Sequence, residues 1–140
     1  MMGNKDKYDE LIAAAAAEYV AAAAAAKEAS GEAAAARGEL AQLEAELATL
    51  RDELRAFERN ELLLGVEEYH ARSDRARWLE VRTKGQRGVA EAAGRRAQLA
   101  GLEVSSVGGK WRGKLRTLVA EDIKAFEEEK RAALEAVLKG

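Results

Sequence analysis

Apolar positions recur by threes and fours through the first sixty residues. Leu40, Leu43, Leu47, Leu50, Leu54 and Phe57 follow the a/d spacing of a coiled-coil seam. Carried backwards, the same register passes through Ala36, Ala33, Ala29, Ala26, Ala22, Tyr19, Ala15, Ile12 and Tyr8. The tract LIAAAAAEYVAAAAAAKEA at residues 11–29 therefore lies in frame with the leucines that follow it. This pattern predicts one long helix over residues 1–64, opened by a cap at Asn4 or Asp6. Gly31 and Gly38 each cost that helix about 1 kcal/mol relative to alanine, and a bend is expected near Ser30-Gly31. Beyond Phe57 a core position falls on Glu61, followed by Leu62, Leu63, Leu64 and Gly65, so a kink or helix end is expected between Asn60 and Gly65.

Residues 65–101 read as a basic helical middle. The pattern is helix-compatible as far as Arg82, breaks at Lys84-Gly85-Gln86-Arg87-Gly88, and resumes to Ala100, with Gly101 as a natural stop. Residues 102–114, LEVSSVGGKWRGK, are expected to form a glycine- and serine-containing loop with Val104 and Val107 as apolar anchors. In residues 115–140 a closing helix shows one face of Leu115, Leu118, Val119, Asp122, Ile123 and Phe126. Helices joined by such a loop fold back antiparallel. The expected fold is all-α: an extended long N-terminal helix with coiled-coil heptads, followed by an antiparallel helical hairpin.

Composition agrees with long helices rather than a dense core. The apolar fraction is largely alanine, which hides little area per residue, aromatic residues are few, and there is no proline. Without cysteine, disulfides and thiolate metal sites are excluded. The mixed charge of the N-terminus gives no reason to expect a secretory leader. The alanine tract is too short for a lone membrane span, which needs about 20 apolar residues, and Glu18 lies near its centre. A packing surface for close helix contacts is the expectation, with membrane entry conditional on an oligomer that buries Glu18.

Charge is unevenly spread. From His70 to Arg116 there are twelve Lys or Arg against four acidic residues, about +8, which leaves about −10 on the rest of a chain whose formal charge is −2. Arg72, Arg75, Arg77, Arg82, Lys84, Arg87, Arg95 and Arg96, with Lys110, Arg112, Lys114 and Arg116 around Trp111, are candidates for sequence-independent phosphate contacts or for pairing with acidic helices. In a parallel homodimer Glu46 would meet Arg51, but Glu39 would meet Glu44 and Glu53 would meet Glu58. Antiparallel packing against the basic middle, or a larger assembly, suits those charges better. His70 is the only histidine, and Glu67, Glu68 and His70 read as a surface polar cluster rather than metal ligands. No enzymatic activity, cofactor or metal is expected. The seam residues Ile12, Tyr19, Ala22, Ala26, Ala33, Leu40, Leu43, Leu47, Leu50, Leu54 and Phe57 are the expected packing contacts.

The stretch GVAEAAGRRAQLAGLEVSSVGGKWRGKLRTLVAEDIKAFEEEKRAALEA, residues 88–136, preceded by an alanine-rich N-terminal region and a long charged helix, resembles the internal virion (DNA-ejection) proteins of short-tailed bacteriophages. The resemblance implies a multi-copy protein stored in the capsid near the portal and DNA, with itself, the portal and other internal proteins as partners. It would be expelled to help carry DNA through the host envelope, and would otherwise be cytoplasmic. A coiled-coil stalk or scaffold subunit, like the peripheral stalks of rotary ATPases, is the alternative from the residues alone, and a small nucleoid-like DNA-binding protein is a third.

Overall fold

The structure, a computed structural model, describes residues 5–139. Nearly all of them lie in two helices, α1 (Lys5–Glu58) and α2 (Val66–Lys139), packed against each other, and no strand occurs among the described residues. The all-α helical-hairpin fold expected from the heptads is thus observed, but its turn is the connection at residues 59–65. Asn4 lies outside the described residues, and Asp6, inside the first turn of α1, favours the positive end of the helix dipole rather than capping it.

The turn has a clear local cause. Asn60 takes a left-handed conformation (φ 59°), which asparagine tolerates better than most residues. The Glu61 N–H then reaches the Ala56 carbonyl (2.8 Å) and the Asn60 N–H the Phe57 carbonyl (3.0 Å), the two hydrogen bonds that close a Schellman motif. Gly65 opens α2, its carbonyl accepting the first intrahelical bond from the Tyr69 N–H (2.9 Å), with Glu67 and Glu68 in the favourable first turn.

Residues 102–114, expected as a loop, are helical, and so are Lys84–Gly88 and Gly101. Glycine without proline weakens a helix but does not stop it. An uninterrupted packing face outweighs those costs: Thr83, Gln86, Ala90, Ala93, Ala97, Ala100, Val104 and Val107 keep the three–four spacing and are all buried or half-buried. The closing helix expected from Lys114 is accordingly the last third of α2. α1 likewise continues through Ser30-Gly31.

The chain divides into two compact units, a central one of Lys27–Leu99 and a terminal one formed by the segments up to Ala26 and from Ala100. In the central unit two clusters make the core. Ala33, Ala36, Ala90 and Ala93 pack together with Leu40 and Ala97 beside them. Nearer the turn, Leu47, Ala76 and Leu79 pack with Leu43, Leu50 and Leu54. Leu79, with 0% of its surface exposed, is the largest fully buried side chain, and the Phe57 and Tyr69 rings close the turn end at 5.0 Å.

Two buried polar residues interrupt this seam. Gln86 Nε2 donates to the Ala36 carbonyl (3.1 Å) and so ties α2 to a fixed point on α1. Thr83 is 4% exposed, and its hydroxyl has no hydrogen-bond partner among the described residues. Replacing an unsatisfied buried hydroxyl by a methyl of the same shape removes a desolvation penalty. Thr83→Val should therefore raise stability by about 1 kcal/mol, whereas Leu79→Ala should lower it by about 3 kcal/mol through lost burial and a cavity. Urea denaturation of the two variants measures both, and a destabilised Thr83→Val would show that its hydroxyl is satisfied in solution.

Candidate assembly surface

A hairpin whose inner seam is consumed by its own two helices can act only through polar groups within the seam and through what it leaves outside. Both can be built from the heptad positions. In the central unit the seam residues occupy a and d, and the flanking e and g positions of antiparallel helices meet like with like. The g position of α1 supplies Glu32, Glu39, Glu46 and Glu53, and α2 answers with arginines. Arg75 bonds Glu46 (2.9 Å) and Arg72, at a core position, bonds Glu53 (2.7 Å). On the other flank Arg51 bonds Glu80 (3.1 Å) and Arg87 bonds Glu44 (3.4 Å). Each pair is at least partly solvated and worth well under about 1 kcal/mol. Their combined effect is to favour this antiparallel pairing of α1 with α2, whereas a parallel homodimer through α1 would set Glu39 on Glu44 and Glu53 on Glu58.

The twelve candidate cations therefore divide. Arg72, Arg75 and Arg87 are held by carboxylates of α1. Lys110 bonds Glu18, and together with Lys114 it lies over the Trp111 ring, at 5.1 and 4.4 Å. Arg77, Arg82, Lys84, Arg95, Arg96, Arg112 and Arg116 form no ion pair among the described residues.

The packing residues divide as well. Ala33 and Leu47 are buried, and Ala22, Ala26, Leu40, Leu43, Leu50, Leu54 and Phe57 are half-buried on the seam. Ile12 (60% exposed) and Tyr19 (50%) are not: within the terminal unit the packed positions are Tyr8, Leu11, Ala15, Glu18, Ala22 and Ala26. Tyr8, Ala15, Ala22 and Ala26 keep their expected places while Ile12 and Tyr19 give way to Leu11 and Glu18, one residue earlier, because successive alanines are interchangeable and hold no phase. The partners on either side of the tract decide it. Here Glu18 decides, accepting from Lys110 Nζ (3.0 and 3.1 Å) and from Trp111 Nε1 (2.8 Å). Further along the same unit Tyr8 donates its hydroxyl proton to Asp122 Oδ2 (2.6 Å). Glu18 in an alanine tract and Asp122 in an apolar stripe are both visible in the sequence; their partners are not.

These bonds shift titrations. Hydrogen bonds from Lys110 and then Trp111 lower the Glu18 pKa, and the bond to Asp122 raises that of Tyr8. No helix is long and apolar enough to cross a membrane, and no group of three or more His, Cys, Asp or Glu is placed to hold a metal ion, both statements applying to the described residues.

Outside the seam, the opposite faces carry small and apolar residues. Trp78 (51% exposed), Val81 (74%) and Leu99 (65%) stand on the outer side of α2. A methyl group at Gly31 or Gly38 of α1, or at Gly85 or Gly88 of α2, would meet nothing within 4 Å. The heptad spacing of the sequence places these positions opposite the seam. In comparisons with known proteins, no family model, no curated protein and no solved structure matches the chain.

Because the folded-state pKa of Glu18 is depressed, its contribution to stability is present above the unfolded value, about 4.3, and is lost as pH falls through the folded value. For Tyr8, whose pKa is raised, the contribution is present below about 10 and is lost as pH rises through the folded value. The melting-temperature difference between the wild type and Glu18→Gln should shrink as pH drops below about 4, and that for Tyr8→Phe should shrink above about 10. Differences independent of pH would show that neither bond forms in solution.

Proposed function

We propose that this chain is a non-catalytic structural protein that assembles with copies of itself through the outward surfaces of its helices, and that it serves as an internal virion protein of a short-tailed phage. One observation carries the first part: the seam and the ion pairs satisfy the inner faces of α1 and α2 while small residues, exposed Trp78, Val81 and Leu99, and unpaired arginines face outward. Interior glycines that touch nothing in their own chain weaken a helix for no internal gain. A neighbouring helix approaching closely supplies the gain.

The virion setting rests on the resemblance of residues 88–136 and on the alanine-rich first third. The composition supports it; the turn in that pattern does not, since residues 102–114 are helical. In that setting Arg112 and Arg116 are cations left for DNA phosphates. Glu18 is paired with Lys110 within its own unit, and both charges of that pair would have to be desolvated on any membrane entry. A stalk or scaffold without DNA or membrane contact is the second reading, favoured by the number of basic-middle residues already paired within the chain: Arg72, Arg75, Arg87 and Lys110.

Light scattering coupled to size-exclusion chromatography tests the first part. A discrete assembly of several subunits is expected, and a monomer at every concentration would overturn it. Titration with unrelated DNA fragments at two salt concentrations then separates the settings. Salt-weakened, sequence-blind binding supports the virion reading, and none at either salt favours the stalk.

A further inference from the structure

The α1 segment of the terminal unit carries two packing faces that share most of their residues. Packed in the structure are Tyr8, Leu11, Ala15, Glu18 and Ala22. The heptad frame of α1 instead runs Tyr8, Ile12, Ala15, Tyr19 and Ala22, and it continues unbroken into Ala26, Ala29 and Ala33. Tyr8, Ala15 and Ala22 belong to both sets. Leu11 and Glu18 lie to one side of these shared residues, Ile12 and Tyr19 to the other. A roll of α1 about its own axis by half the angular step of one residue, about 50°, exchanges the two pairs.

The surroundings suit either face. Ile12 and Tyr19, at least half exposed, border an apolar groove whose α2 wall holds Val107, Trp111 and Leu115. The roll carries both side chains across a surface they already line, and the alanines between them are too small to obstruct it. On apolar area alone the second face is the better one, since Ile12 and Tyr19 together hide more than Leu11 and the stem of Glu18. Polar contacts oppose it. The Trp111 indole N–H donates to Glu18 Oε2 (2.8 Å), and Lys110 Nζ donates to both oxygens of the same carboxylate (3.0 and 3.1 Å). Lys110 is a flexible side chain that can follow Glu18 outward, whereas the indole is held in the seam and cannot.

We propose that the terminal unit is a two-position device: α1 rolls between the observed register, which leaves the groove beside Ile12 and Tyr19 open, and a second register in frame with its heptads, which fills that groove, and the Glu18–Trp111 hydrogen bond holds the first. The two positions differ in how much apolar surface the unit shows, with no helix unwound and no loop moved. Whatever takes the Glu18 carboxylate from Trp111 shifts the population toward the covered form. The roll concerns a single chain, so it stands or falls apart from the self-assembly reading.

A double-mutant cycle on the full chain tests it, read by amide hydrogen exchange over residues 8–22, which reports the local stability of this segment. Ile12→Ser/Tyr19→Ser spoils the second face at little cost in helix propensity, and Glu18→Ala removes the acceptor for Trp111 while leaving a good helix former. Ile12→Ser/Tyr19→Ser should lower protection about tenfold more in the Glu18→Ala background than in the wild type, because only there does α1 rest on Ile12 and Tyr19. Glu18→Gln, whose amide oxygen still accepts from Trp111, should behave as the wild type does. Equal losses in the two backgrounds overturn the roll: small ones mean that α1 never rests on Ile12 and Tyr19, and large ones that the groove is already covered in the wild type. A segment left unprotected by Glu18→Ala alone also overturns it, since no second register then holds. A Glu18→Gln chain that matches Glu18→Ala overturns the hydrogen bond as the lock and assigns that part to charge.

Discussion

The close approach of two helices along a seam of small side chains is the constraint from which the rest of this structure follows. Ala33, Ala36, Ala90 and Ala93 hide little area individually, so the central core draws its strength from continuity and tight contact rather than from large buried groups. Only near the turn do leucines gather around Leu79. A seam of this kind cannot tolerate an interruption in either helix, because a loop would break the contact on both sides of it. That is why the glycines at 85, 88, 101, 108, 109 and 113 are absorbed into α2.

Alanine seams have a second weakness: they do not say which residue should face which. Polar groups supply that information in each unit. The Gln86 side chain finds one particular carbonyl, and the central ion pairs accept only the antiparallel arrangement. In the terminal unit Glu18 with Lys110 and Trp111, and Tyr8 with Asp122, choose the phase that the alanines leave open. Such groups contribute modestly to stability and strongly to uniqueness, the role a polar residue plays in an otherwise apolar coiled coil.

The heptad spacing made the long first helix, its end near Asn60 and the antiparallel use of its charges readable before any coordinates, because each depends on side chains that differ from their neighbours. The glycine-rich stretch at 102–114 misled, since local composition argued for a loop while the deciding contact lay almost a hundred residues away in α1. Ile12 and Tyr19 misled for a related reason. A register carried across interchangeable alanines gathers no correction, and a one-residue slip turns a packed position into an exposed one. Of the candidate cations, those at flanking positions opposite a glutamate could be assigned partners from the heptad alone, as with Arg75; those facing outward could not.

The spacing of packed positions also sets how the two helices wind about each other. A three–four alternation averages about 3.5 residues per turn, less than the helix's own 3.6, and its contact line must wind as a left-handed supercoil. In the terminal unit Tyr8, Leu11, Ala15, Glu18 and Ala22 of α1 keep that alternation, as do Ala100, Val104, Val107 and Trp111 of α2. The one departure is in α1, where Glu18, Ala22 and Ala26 are spaced four and four, a stutter at which the winding locally relaxes.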